Sequence, residues 1–131
     1  MDLLPMRLAP GADLRRALEA AGAGGAFVVS AMGSLRDVQL RFAGAAQPTL
    51  LPGDFEIVSM AGAITAEGAH LHMAEADAAG AVFGGHVVYG NLVRTTAEVL
   101  LAPTPGWHLA RQFDPATGYA ELVVRAADPG A

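Results

Sequence analysis

The chain has 131 residues, of which 53% are apolar and 16% charged, and a net charge of −5, which indicates one folded domain rather than disorder. Its eight basic residues are scattered arginines, which argues against a basic nucleic-acid-binding face, and the lack of cysteine excludes disulfides and thiolate metal ligands. An acid at position 2 and the absence of any run of eighteen apolar residues predict no signal peptide and no membrane span, so we expect a cytoplasmic protein.

The first predicted element is a helix over residues 10–23. Its apolar residues recur at helical spacing from Leu14 to Ala21 and form one stripe. Asp13 can cap the free amides at the start, and Gly22 begins a glycine-rich stretch that ends the helix. We expect this to be the main helix of the protein.

The rest of the chain predicts strands. Seven stretches are rich in β-branched or apolar residues and are separated by glycine, proline, asparagine or aspartate: 26–32, 36–43, 55–65, 69–77, 81–90, 93–102 and a weaker one at 119–125. A plain turn is predicted over 33–37, and a loop or an edge segment over 103–108, which contains His108. The pattern is typical of an α+β fold, with an antiparallel β-sheet or sandwich of about seven strands and one main N-terminal helix.

Three of the four histidines, His70, His72 and His86, fall within seventeen positions. Side chains alternate between the two faces of a strand, so His70 and His72 share one face. Residues 77–81 suit a three-residue hairpin loop in which Gly80 takes the left-handed conformation. That register places His72 opposite His86 and His70 on the diagonal, so all three rings project from one face. A slip of one residue would move His86 to the other face.

Three neutral imidazoles on one face are suitable ligands for a divalent metal. We predict that His70, His72 and His86 bind such an ion, Zn²⁺ by preference, with one coordination position open for water or a small-molecule ligand. The alternative is that these histidines are hydrogen-bonded sheet residues without a metal. Gly84 and Gly85 beside them leave space for neighbouring side chains or for a bound molecule.

Glu56 is the candidate catalytic base. It lies in a predicted strand, where it could accept a hydrogen bond from a metal-bound histidine or move a proton near a metal-bound water. The alternative is a buried structural ion pair with Arg41. Glu75 alternates onto the face away from the histidines and is therefore a poor metal ligand.

Five stretches of the chain, in order, resemble the plant and prokaryote conserved domain family, called PPC or PCC. They read RLAPGADLRRALE, SAMGSLRDVQLRFA, GDFEIVSMAGAI, GAHLHMAEADAAGAVFGGHVVYG and VRTTAEVLL. The resemblance predicts one domain over 1–131 with its core at about 6–125. It implies an α+β domain that assembles into homotrimers and, in stand-alone prokaryotic members, a metal bound at His70, His72 and His86.

The family is commonly described as DNA-binding and occurs with AT-hooks in plant nuclear proteins. This chain has no Arg-Gly-Arg-Pro core of an AT-hook and is acidic, so we expect no direct DNA binding. Three functions stay open: a homotrimeric metal-binding assembly protein of stand-alone prokaryotic type, a metal-dependent hydrolase or lyase with Glu56 as base, and a DNA-associated regulator. Whether the site lies within one subunit or between subunits also stays open.

Overall fold

The computed structural model describes residues 2–128, which form eight strands and one helix. The elements are β1 (Leu4–Leu8), α1 (Leu14–Ala21), β2 (Ala26–Arg41), β3 (Thr49–Thr65), β4 (Gly68–Ala76), β5 (Val82–Val87), β6 (Leu92–Pro103), β7 (Trp107–Asp114) and β8 (Tyr119–Ala126). The predicted α+β class, with an antiparallel sheet and a single helix, is confirmed. No helix in this part of the chain is long and apolar enough to cross a membrane.

Six strands form one antiparallel sheet in the order β1-β6-β2-β3-β4-β5. The last residues of β2 also pair with β5, where Leu40 lies opposite Val87 and Arg41 opposite His86. The sheet therefore curls back on itself, and β2, β3, β4 and β5 enclose a small barrel. The remaining strands, β7 and β8, form a separate antiparallel hairpin, which we call the C-terminal ribbon.

The core lies between the curled sheet and α1. Leu14 and Leu18 of the helix are fully buried in the same apolar cluster as the inward side chains of the sheet. Asp13 caps the helix, because its carboxylate accepts a 3.1 Å hydrogen bond from the backbone N–H of Arg16. The helix is shorter than the predicted 10–23, since Asp13 itself is extended and Gly22 closes the last turn.

The strands differ from the prediction in several places, and β3 begins six residues before the predicted 55–65. β1 was missed because it is short and contains Pro5, which an edge strand tolerates. The predicted turn over 33–37 is wrong, because β2 runs through it with a bulge between Arg36 and Val38. β7 (Trp107–Asp114) was not predicted as a strand, and its first two residues fall at the end of the stretch 103–108, which was expected to be a loop or an edge segment.

Candidate metal centre

The hairpin of β4 and β5 has the predicted register, with His72 opposite His86. The backbone N–H of Asp77 donates to the carbonyl of Ala81 at 2.9 Å, and Gly80 is left-handed with a φ of 82°. The Asp77 carboxylate also accepts hydrogen bonds from two amides of the loop. The hydrogen bonds of the loop therefore support this register locally.

His70, His72 and His86 converge on the outer face of this hairpin, and we call them the histidine cluster. The Nε2 atoms of His70 and His72 lie 3.1 Å apart. One ring nitrogen from each of the three residues lies within 4.8 Å of the other two. The ring centroids of His72 and His86 are 4.5 Å apart, and those of His70 and His86 are 5.6 Å apart. Three potential ligand atoms thus face a common point.

His86 is oriented by the backbone of β2. Its Nδ1 lies 3.1 Å from the carbonyl oxygen of Arg41, which can only accept a hydrogen bond. The proton of the neutral ring therefore sits on Nδ1, and the lone pair of Nε2 is free for a metal.

Gly85 makes this contact between β5 and β2 possible. A Cβ at position 85 would lie 2.9 Å from the Arg41 carbonyl oxygen and 3.3 Å from the Cβ of Leu40. The space beside Gly85 is therefore occupied by β2 rather than by a bound molecule. At Gly84 the nearest atom would be the Met73 carbonyl oxygen at an ordinary 3.5 Å.

The surroundings of His70 and His72 favour the neutral form of these two imidazoles. Burial, followed by the charges of Arg111 and the other two histidines, lowers the pKa of His70, and the charge of Glu121 partly offsets this effect. Burial, followed by the charges of His86 and Arg41, lowers the pKa of His72. A lower pKa keeps the ring nitrogens unprotonated near pH 7, as metal binding requires.

The helix holds the start of β4 in place through Glu19, which the sequence analysis did not single out. Its carboxylate accepts hydrogen bonds from the amide of Ala69 at 2.8 Å and from the Tyr89 hydroxyl at 2.7 Å. Although burial raises the pKa of Glu19, these hydrogen bonds and the charge of Arg15 hold it below the usual value. Ala69 directly precedes His70, so α1 fixes the backbone that carries this ring.

The C-terminal ribbon lies beside His70. β7 of the ribbon contacts β3. Ala63 of β3 is the cross-strand neighbour of His70, and it is only 4% exposed. The ribbon brings Arg111 and Glu121 close enough for their charges to act on His70. The sequence analysis missed both residues. The turn residues of 114–118 between two apolar stretches were a usable signal for this hairpin.

Glu56 is not brought to the histidine cluster. It lies opposite Ala76, whereas His72 lies opposite Ala61, five residues further along β3, or about 16 Å at the rise of a strand. Glu56 is exposed and forms no ion pair within the described part of the chain, so the predicted buried pair with Arg41 is wrong. Arg41 instead donates to the carbonyl of Ala45 at 3.2 Å.

The curled sheet, its single helix and the histidine cluster together define a small α+β protein with a three-histidine, open-sided candidate metal site. The chain belongs to the family described as the Plants and Prokaryotes Conserved (PCC) domain, whose model matches residues 1–105. The C-terminal ribbon lies beyond this match.

Similar proteins include two bifunctional GlmU proteins of Synechococcus. The one from Synechococcus sp. (strain JA-2-3B'a(2-13)) is 43% identical over 137 residues, which cover 98% of this chain and 21% of that protein. The one from strain JA-3-3Ab is 44% identical over 128 residues. The chain therefore spans about a fifth of the length of the curated relatives it matches.

Two solved structures share the fold over almost the whole chain. A hypothetical protein from Salmonella enterica has a TM-score of 0.90 at 36% identity, and the match covers 95% of this chain and 94% of that one. A protein from Archaeoglobus fulgidus described as metal-containing has a TM-score of 0.77 at 26% identity, with 94% of each chain covered.

Proposed function

We propose that this protein binds a divalent metal through His70, His72 and His86, with Zn²⁺ preferred, and presents the open coordination position to a small ligand. The observation that carries the proposal is the convergence of three ring nitrogens within 4.8 Å on one face of the hairpin. The metal-containing relative from Archaeoglobus fulgidus adds support.

The residues present fit such an ion. A tetrahedral centre with bonds of about 2.1 Å needs ligand nitrogens about 3.4 Å apart. The 3.1 Å separation within the pair of His70 and His72 is close to this value, and small side-chain rotations would bring in His86. An all-nitrogen set of neutral imidazoles suits borderline divalent metals better than Mg²⁺ or Ca²⁺, which prefer oxygen ligands.

Binding is a better supported role than hydrolysis. A bound Zn²⁺ ion would act as a Lewis acid toward a ligand at the open position. The candidate base Glu56 lies well along β3 from the cluster, and Glu75 points into the core. Neither carboxylate is therefore placed to accept a proton from a metal-bound water.

We also propose that copies of the chain assemble, as the resemblance to trimeric family members implies. Large apolar side chains on the outer faces of β2 and β3 support this: Val29 is 53% exposed, and Met32 and Val58 are each 58% exposed. Such a patch is typical of a protein contact surface.

Direct DNA binding is not part of the proposal. Arg36 and Arg94 both contact the Asp54 carboxylate, with N to O distances of 3.1 and 3.3 Å. This pairing lowers the positive charge that the two arginines present to a phosphate.

Metal analysis tests the metal proposal. The wild-type protein, loaded with Zn²⁺ and freed of excess ion, is expected to retain one metal per chain. The His72→Ala variant should lose this metal, whereas His108→Ala, which changes an exposed ribbon histidine outside the cluster, should retain it. Wild-type protein without stoichiometric metal, or full retention by His72→Ala, would contradict the proposal.

A further inference from the structure

A cleft of about 210 Å³ adjoins the histidine cluster. His70 and His86 line one part of it, and Arg15 and Arg41 line another. Its volume equals that of about seven water molecules at ~30 Å³ each, which is room for phosphate or a short carboxylate. The cleft therefore joins metal-binding side chains and cationic side chains in one small space.

The two arginines differ in how far they are neutralised. Arg15 lies 3.5 Å from the carboxylate of Glu19 and donates to the carbonyl of Val87. Arg41 has no carboxylate within ion-pair distance among residues 2–128, and its guanidinium donates only to the Ala45 carbonyl. Most of its donor groups are thus free for a further acceptor, since a guanidinium carries five N–H bonds.

The cluster adds no negative charge to offset a metal. Three neutral imidazoles leave a divalent ion with its full charge, unlike sites that include a carboxylate or thiolate. Arg111 adds a third cation near His70, and Glu121 is the acid whose opposing charge acts on that histidine. The open coordination position therefore faces a positive field, which favours an anion over a neutral ligand.

We propose that the ligand of this site is a small oxyanion, a carboxylate or a phosphate, with one oxygen on the metal and another held by the guanidinium of Arg41. This inference rests on the proposed metal-binding function and names the class of ligand. Arginine suits the role because its planar donor groups match the oxygen spacing of both anions.

Binding to the Co²⁺-loaded protein tests the proposal, because the visible absorption of Co²⁺ reports changes in its ligands. Sodium acetate or inorganic phosphate should shift the spectrum in a saturable way, whereas acetamide, the uncharged analogue of acetate, should not. The anion that binds with the lower Kd shows whether the site prefers a carboxylate or a phosphate.

Arg41→Gln should weaken anion binding about tenfold or more, because a charged hydrogen-bond donor is lost. Arg41→Lys keeps the charge and should recover part of the affinity. Both variants keep the Arg41 backbone carbonyl that orients His86. The matched control Arg36→Gln removes an arginine of the same strand that lies outside the cleft, and it should bind as wild type.

The outcomes separate the two proposals. Stoichiometric Co²⁺ with no response to either anion, or equal anion affinity in wild type and Arg41→Gln, would overturn the oxyanion proposal and leave the metal site intact. Failure of the wild type to bind Co²⁺ or Zn²⁺ would overturn both.

Discussion

At the scale of single residues, Glu75 is the least expected feature of the protein. Its side chain is fully buried between Ile57 and Phe83, which are its neighbours in the sheet. Neither carboxylate oxygen has a hydrogen-bond partner in the described part of the chain. Burial raises the pKa of Glu75 to about 7, because a charged carboxylate without partners is costly in an apolar core.

Replacement of Glu75 by leucine should stabilise the protein in a pH-dependent way. The pKa of this carboxyl is raised from 4.5 to about 7 on folding, so wild-type stability is lost as the pH rises through this range. At pH 8 we expect Glu75→Leu to raise the free energy of unfolding by about 2–3 kcal/mol, and at pH 5 by much less. Urea unfolding followed by circular dichroism measures both values.

The difference in unfolding free energy between Glu75→Leu and wild type reports the effect of Glu75 and not that of the histidines. The lowered pKa values of His70 and His72 act in the opposite direction, because stability from neutral histidines is lost as the pH falls. These contributions are common to wild type and variant and cancel in the difference. Asp2→Leu, at an exposed acid that precedes β1, should change stability by no more than about 0.5 kcal/mol. If the difference in unfolding free energy between Glu75→Leu and wild type does not vary with pH, the raised pKa of Glu75 is contradicted.

At the scale of elements, the site depends on one local pairing and one distant pairing. The hairpin of β4 and β5 forms over a loop of few residues, and its register follows from turn chemistry and alternation. The pairing of β2 with β5 joins Arg41 to His86 across 45 residues. This second pairing brings Arg41 and its carbonyl acceptor to the histidine cluster.

Two neighbouring glycines test the distant pairing. Gly85→Ala places a methyl group 2.9 Å from the Arg41 carbonyl oxygen, so β5 must move away from β2. We expect a loss of about 1–3 kcal/mol in stability and weaker Zn²⁺ binding, because His86 loses its orienting contact. Zn²⁺ titration calorimetry and urea unfolding measure the two effects.

Gly84→Ala is the control for this prediction, because its added methyl group meets only an ordinary contact. It should leave Zn²⁺ affinity unchanged and stability close to that of wild type. Equal behaviour of the two alanine variants would show that the close approach of β2 does not position His86.

At the scale of the whole molecule, the chain leaves apolar surface uncovered. Phe27, Val29 and Met32 are exposed along β2, while the alternate residues of the strand fill the core. Exposed apolar side chains of this size are costly in water unless another surface covers them. Self-association would cover this face in every copy at once.

Light scattering after size-exclusion chromatography tests the assembly. The wild type should have three times the chain mass of 13.4 kDa. Met32→Glu should lower the mass toward that of one chain, because a charge would be buried without a partner. Tyr119→Glu, at an exposed position of the ribbon, should keep the wild-type mass. A monomeric wild type would contradict the prediction.

Much of the candidate site could be predicted from the sequence because it is local. Alternation along β4 places His70 and His72 on one face, and the loop ending at Gly80 places His86 opposite them. The helix was recognisable for the same reason, since its apolar stripe and the Asp13 cap lie within a few turns. In each case the interacting residues are close in the chain, so their spacing carries the information.

What surrounds the histidines was decided by the tertiary structure. The closure of β5 on β2 positions Arg41, the packing of α1 positions Arg15 and Glu19, and the C-terminal ribbon positions Arg111. These contacts join residues far apart in the chain, and no local periodicity encodes which strand edges meet. Local spacing was therefore enough to predict the three candidate ligands, whereas the charges that face them depend on the folded sheet, because charge acts through space and not along the chain.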